Sequence, residues 1–283
     1  MSEKSATRTY SADERGMSFG VIASAAVLAL IVVVGVFMYV GRGDSGGDKP
    51  AEPLPSPAAG TGSTGATGFA APQVDLFGRR VDVPNNPAGQ PLSQDPSKEK
   101  SPTDDDWLTA APAGTTEPRG WQRVYGASVP FSTSDGPARL DEQGLAVGYS
   151  HTPQGAALAA AQITYRLNAR PADRALYTAQ VRVSDQQLAA YDKALRAGKL
   201  PQQQPERITK YLVAPDAFKV ENYADDMAIV RLAARGPVND GKQVWAAIRL
   251  VMVWDAGDWR LKPTEANGSP AEYIDSIAGW TRW

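Results

Sequence analysis

The sequence predicts an α+β fold held outside a membrane by a single span. Three patterns carry that expectation: 25 uncharged residues at 17–41, a Pro- and Gly-rich stretch at 42–104, and a C-terminal part in which helix periodicity gives way to strand periodicity.

The uncharged run is centred on the apolar stretch from Ala25 to Val34. About 20 apolar helical residues cross a hydrocarbon core, so the run is long enough to span. A cleaved signal peptide has an apolar region of only ~7–15 residues and a small-residue cleavage site. This run instead ends Phe37, Met38, Tyr39, Val40, Gly41 and Arg42, so it reads as a retained transmembrane helix. Lys4, Arg8 and Arg15 precede it, whereas only Arg42 and Lys49 follow closely. That basic excess places residues 1–16 in the cytoplasm as a short tail and the C-terminal part outside, at the cell membrane.

Residues 42–104 hold 10 Pro and 9 Gly in 63 positions and read as a flexible linker. Such a chain has an end-to-end distance of about 40–50 Å. One island, Val74–Pro84, mixes apolar and charged residues. It reads either as a strand that adds to a partner's sheet edge or, more simply, as a locally packed patch.

All seven Trp and eight of the ten Tyr lie after residue 104, so the core-forming unit is expected at 105–283. It opens irregularly, broken by Pro112, Pro118, Pro130 and Pro137. Thr152 as N-cap and Pro153 at the first helical position then start an alanine-rich helix reaching Leu167. A second helix is expected from Pro171, and a third from Ser184 to Gly198. Beyond Pro205 the period becomes two: Ile208–Val213, Phe218–Tyr223, Met227–Ala234, Val244–Trp254 and Asp258–Lys262 read as strands of an antiparallel meander. Trp259 and Leu261 are expected to point into the core. Helices first and strands after give an α+β fold.

That order resembles the nuclear-transport-factor-2-like (cystatin-like) cone, in which N-terminal helices pack on a curved antiparallel sheet. The whole chain, with its tail, span, linker and such a domain, resembles the VirB-type and TcpC-type scaffold subunit of conjugative type IV secretion systems. The segments Arg79–Gln90, Gly148–Leu158 and Val253–Leu261 are similar to stretches in an actinobacterial family of single-pass membrane proteins of unknown function, found with conjugation genes. The resemblance covers residues ~75–283. The resemblance to secretion scaffolds, which is one of architecture, implies a structural role, and neither resemblance supplies a catalytic residue.

Composition narrows the chemistry independently. The absence of Cys excludes disulfides, thiolate metal sites and a cysteine nucleophile. The single His excludes multi-histidine metal centres, and a formal charge of −2 gives no basic excess for nucleic acid, so no direct contact with it is expected. His151 sits just before a helix cap, and the adjacent hydroxyls of Ser150 and Thr152 read as capping groups. Asp225 and Asp226, with Asp216 and Glu221 upstream, lack the alternating oxygen ligands of a calcium loop. Asp255 and Asp258 flank Gly257 in a turn, where Asp serves the backbone. A cone-type enzyme would need a buried Asp opposite a Tyr such as Tyr165 or Tyr211. No catalytic, cofactor or metal residue is assigned on these grounds.

The expected function is therefore a non-enzymatic membrane scaffold of a DNA-transfer apparatus. Its partners would be other membrane components of a secretion or conjugation complex, the lipid bilayer through residues 17–41, and further copies of the chain in a homo-oligomer. The alternatives are an envelope protein of the Mce-associated type and a membrane-tethered small-ligand binder or enzyme using the cone's cavity.

Overall fold

The computed structural model describes residues 65–239, 241–263 and 271–283. The expected tail 1–16, the span 17–41 and the start of the linker lie outside the described residues. Among the described residues no helix is long and apolar enough to cross a membrane. The fold is α+β with mostly antiparallel sheets.

The folded unit begins well before residue 105, which corrects the expected extent of the linker. Strands β1 (Phe69–Val74) and β2 (Arg80–Pro84) form an antiparallel hairpin. β2 then runs parallel to β3 (Trp121–Val124), and β3 pairs antiparallel with β4 (Ala127–Pro130), giving the order β1-β2-β3-β4. The Pro and Gly of this stretch make packed turns, with side-chain amides standing in for ladder bonds. Gln90 N–H donates to Gln122 Oε1 at 2.8 Å while Gln122 Nε2 donates back to Gln90 O at 2.7 Å. Gly89, at φ +100°, lies so close to Phe131 that a Cβ would stand 2.6 Å from its ring.

A small ribbon, β5 (Arg139–Leu140) and β6 (Ala146–Val147), leads to α1 (Pro153–Ala169). The Thr152 hydroxyl accepts from Gly155 N–H at 2.9 Å, as its N-cap position requires. Gly155 itself is obligatory: a Cβ there would lie 2.1 Å from Ser150 O. Every residue of α1 is buried. Alanine lets its backbone approach both neighbours closely, the strands on one side and β4 on the other.

Gln154, Leu158, Gln162 and Arg166 recur every four residues and so form one stripe of α1. Gln154 Nε2 donates to Trp107 O (2.9 Å) and Gln162 Nε2 to Pro130 O (2.6 Å). Arg166 donates to Ala88 O (2.6 Å), Gly144 O (3.1 Å) and Gln162 Oε1 (2.8 Å). This polar stripe therefore binds the N-terminal layer.

Helix α2 (Arg174–Gln180) starts three residues later than Pro171, capped by Asp173, which accepts from Leu176 N–H at 3.1 Å. Helix α3 (Asp185–Arg196) has the expected Ser184 N-cap, with Gln187 completing a capping box. The expected strand at 208–213 is instead α4 (Glu206–Thr209) followed by a buried coil. Pro205 fixes a φ of −66° ahead of it, Glu206 suits the first turn, and the six residues contain no sustained alternation.

The four later strands expected from the sequence are present, and two further short ones join them. β7 (Ala217–Ala224), β8 (Met227–Asn239), β9 (Lys242–Asp255) and β10 (Asp258–Lys262) form an antiparallel meander. β11 (Ala271–Ile274) pairs with β9, and β12 (Thr281–Arg282) closes the other edge on β7. Ala256 and Gly257 both take positive φ, the requirement of the two-residue β9–β10 turn. Ala246, Ile248, Leu250 and Met252 are buried along one face of β9. On the other face Ala247 is covered in part by the C-terminal segment, where Ile277 packs with Ala217 and Ala233.

Trp259 is 1% exposed beside Leu261, and its indole N–H donates to Ser150 O at 3.0 Å. Trp259→Ala should lower unfolding free energy by about 3–5 kcal/mol in chemical denaturation. An unchanged midpoint would show that the indole is not part of the core.

Candidate functional site

The β1–β2 hairpin ends in a tip built around Asp75. Its Oδ1 accepts from Phe77 N–H (2.8 Å) and Arg79 N–H (3.0 Å), the turn that Asp forms with its own backbone. Gly78 supplies φ +72°. The folded-back tip leaves Val74, Leu76 and Phe77 pointing outward, 67%, 51% and 37% exposed.

Arg79 fastens this tip to the large sheet. Its Nε donates to Asp75 Oδ2 at 2.8 Å and its Nη1 to Asp216 Oδ1 at 2.6 Å. Asp216, just ahead of β7, also accepts from Arg235 Nε (2.9 Å) and Trp245 Nε1 (2.8 Å). The Arg79 and Arg235 guanidiniums lie 5.5 and 5.2 Å from the centre of the Phe77 ring. The carboxylates lie deeper than their Arg partners: the side chains of Asp75, Asp82 and Asp216 are 0%, 6% and 4% exposed, against 29%, 58% and 35% for Arg79, Arg80 and Arg235, and of these Arg79 has its Nη2 buried. Burial alone would raise the Asp82 carboxyl, but hydrogen bonds from Arg80 and from Arg119 N–H prevail and hold it below the usual range.

Trp245 carries the surface onward into a groove of ≈ 450 Å³ lined also by Ile277, Trp280, Asp275 and Arg282. Arg231 lies 5.0 Å over the Trp280 ring, and Glu221 and Glu272 hold it there. Aromatic and Arg side chains at a groove are the composition from which protein-binding hot spots are made.

The residues that the sequence singled out lie elsewhere. His151 stacks on Trp254 (4.1 Å between centroids, 12° between planes) and its Nε2–H donates to Asp225 O at 2.5 Å. Tyr223 O–H donates to His151 O at 2.8 Å, and burial pushes that phenol up to about 12. Ser150 Oγ donates to Glu99 Oε1 (2.7 Å) and Thr152 Oγ1 to Asp135 Oδ1 (2.6 Å), so both hydroxyls serve the entry to α1. Asp225 and Asp226 form the β7–β8 turn, while Glu221 pairs with Arg249 at 2.9 Å. Asp255 pairs with Arg182 and Arg260. Asp258 accepts from Gly148 N–H (2.7 Å) and Trp259 N–H (2.9 Å), and burial raises its carboxyl despite them. Tyr165 is buried in the core and pushed up by desolvation, and Tyr211 lies under Lys210 at 5.1 Å. Among the described residues no group of three His, Cys, Asp or Glu is placed to hold a metal ion.

The described residues thus form an α+β domain that carries an exposed apolar hairpin tip and an aromatic groove. Residues 82–282 match a domain family of unknown function, DUF8175, and the chain belongs to that family. No curated protein and no solved structure matches it. The family match begins inside β2, so β1 and the hairpin tip precede it.

The Asp216 cluster and the Asp135 carboxyl behind the Thr152 cap can each be tested. Asp216→Ala removes the acceptor shared by the hairpin and the sheet and should cost roughly 3 kcal/mol, the scale for breaking a buried ion pair. Amide exchange at residues 75–83 should rise while β8 and β9 stay protected; unchanged exchange would mean that strand pairing alone holds the tip. Asp135 is buried, and burial raises its carboxyl above the ordinary 3.8 although Ser134 and Thr152 donate to it. Its folded value is the raised one, so its contribution is full below pH 3.8 and is lost as pH rises through the folded value. The melting temperature of Asp135→Asn relative to the parent should accordingly increase between pH 3.5 and 7; a constant difference would contradict a raised carboxyl.

Proposed function

We propose that the chain is a non-enzymatic, single-pass membrane scaffold subunit of a conjugative, type IV secretion-like DNA-transfer apparatus, acting by protein–protein contacts outside the membrane. The observation that carries this reading is the build of the chain: 25 uncharged residues at 17–41, then a folded domain with an aromatic, Arg-lined surface groove. Residues 17–41 act as the anchor, with residues 1–16 cytoplasmic and the domain extracytoplasmic. The groove beside Trp245 and Trp280 takes a partner subunit. The finer fold assignment belongs to the same proposal. Helices α1–α3 ahead of the β7–β10 meander, with α1 lying against those strands, support a nuclear-transport-factor-2-like cone.

A transfer assay with matched protein levels tests the reading. Deleting 17–41 should abolish transfer, because assembly relies on high local concentration at the membrane. His151→Ala and Asp225→Asn should leave transfer nearly intact. In this Cys-free chain a cysteine at Ser63 should label from outside intact cells and one at Ser5 should not. Reversed labelling, or a turnover abolished by one polar substitution, overturns the assignment.

A further inference from the structure

We propose that the hairpin tip, Val74 to Arg80, is a second membrane-contact element that dips into the headgroup region of an anionic lipid surface. The inference rests on the reading of residues 17–41 as an anchor, and it adds a contact that sets how the domain lies against the bilayer.

Four observations point to lipid. First, half of the six large apolar side chains exposed among the described residues, Val74, Leu76 and Phe77, fall within four positions of one turn. Second, the tip is free of exposed acid, because Asp75 folds back and spends both oxygens on Phe77, Arg79 and their amides. An outward carboxylate at that depth would oppose insertion, and the local backbone turn removes it.

Third, the charges behind the apolar tip are layered. Arg80 and Arg235 stand outside Asp82 and Asp216, while Arg79 closes over Asp75 with its Nη2 buried, so the guanidiniums presented to the outside are those of Arg80 and Arg235 and the compensating acids lie beneath. Apolar side chains backed by Arg are the composition of an interfacial element, which buries its apolar part ~5–10 Å into the headgroup boundary. Guanidinium also matches phosphate in planar, bidentate fashion. Fourth, the tip lies within reach. The 27 residues between the uncharged run and β1, 42–68, extend at most about 90 Å.

Pairing of the free β1 edge with another strand is the weaker use of the hairpin. Pro72 lacks an N–H, and the β1–β2 register is irregular between Ala70 and Gln73, both of which blunt an edge.

The test uses the full chain in lipid vesicles. Single cysteines at Gln73, Leu30 and Gln186 carry an environment-sensitive dye, and nitroxide-labelled lipids quench whichever dye enters the bilayer. Gln73 reports the tip with Leu76 and Phe77 intact, Leu30 reports the anchor, and Gln186 on α3 reports non-specific adsorption. The Gln73 dye should be quenched by shallow nitroxides in vesicles containing phosphatidylglycerol and much less in phosphatidylcholine alone. Quenching should weaken in molar salt, which screens headgroup attraction. Leu76→Glu with Phe77→Glu should reduce the inserted fraction about tenfold or more, the factor set by losing two buried side chains. Tryptophan fluorescence should show these surface variants still folded.

Quenching at Leu30 with none at Gln73 overturns the inference and leaves the anchor reading standing. Absence of quenching at Leu30 removes the anchor reading, and the Gln73 signal then decides the tip by itself. Equal quenching at Gln186 overturns it as general adsorption. A tip that stays unquenched yet crosslinks to a protein subunit overturns it in favour of a protein partner.

Discussion

The fold depends on burying α1 from both sides. A helix with no solvent face must satisfy two layers at once, and the sequence divides the work by position. Alanines allow close approach, Leu158 and Ile163 fill space, and the stripe Gln154, Gln162 and Arg166 supplies directed hydrogen bonds. Those bonds end on main-chain carbonyls at Trp107, Pro130, Gly144 and Ala88. The loops and the end of β4 in the N-terminal layer offer main-chain carbonyls to these donors. Arg166 takes two of them: a buried cation whose donors reach Ala88, Gly144 and Gln162, with its guanidinium made less basic by desolvation. Replacing it by an apolar residue would leave Ala88 O and Gly144 O without that donor, which is the costly direction of the hydrogen-bond asymmetry.

This clamping positions everything that reaches the surface. β4, against α1, holds β3; β3 holds β2; β2 carries the tip. The tip then meets the large sheet again at Asp216, so the hairpin is tied at both ends of its path. Asp216 takes hydrogen bonds from three elements, Arg79 from the hairpin, Arg235 from β8 and Trp245 from β9. The apolar tip and the aromatic groove share this single residue, and their relative placement follows from it.

Where local chemistry decides, the sequence is readable. Thr152 with Pro153, Ser184 with Gln187, and the Ala256–Gly257 turn each specify a boundary through a named hydrogen bond or backbone angle. The meander was legible because alternation over β8, β9 and β10 is long. Three features were hidden, each for a physical reason. Pro and Gly at 69–104 read as a linker, since their packing relies on Gln90–Gln122 and Arg119–Asp82 contacts spanning 32 and 37 residues. The stripe Gln154, Gln162, Arg166 has the spacing of a solvent face, and only the second layer makes it an interior one. The Asp216 cluster joins positions 137 residues apart, Arg79 and Asp216, which no local window contains. His151 stacks on Trp254 and hydrogen-bonds the β7–β8 turn through Asp225 O.

The totals of charge say less about such a domain than the depth at which each charge lies. Residues 105–283 carry 20 basic and 20 acidic groups, a balance that by itself points to no charged partner. Burial breaks the balance locally. At the hairpin the acids are covered more deeply than the Arg side chains, because each acid is spent on inward contacts: Asp75 on its own turn, Asp82 on Arg119 N–H, Asp216 on the side chains of Trp245 and two Arg. A carboxylate accepts several bonds at once and is therefore an efficient inward anchor, whereas the longer side chains of Arg80 and Arg235 reach past their partners toward the outside. The same interactions that build the tip thus give it a positive rim around an apolar end. Its surface character is a by-product of how its turn is held, and any substitution that frees Asp75 or Asp216 alters shape and charge together.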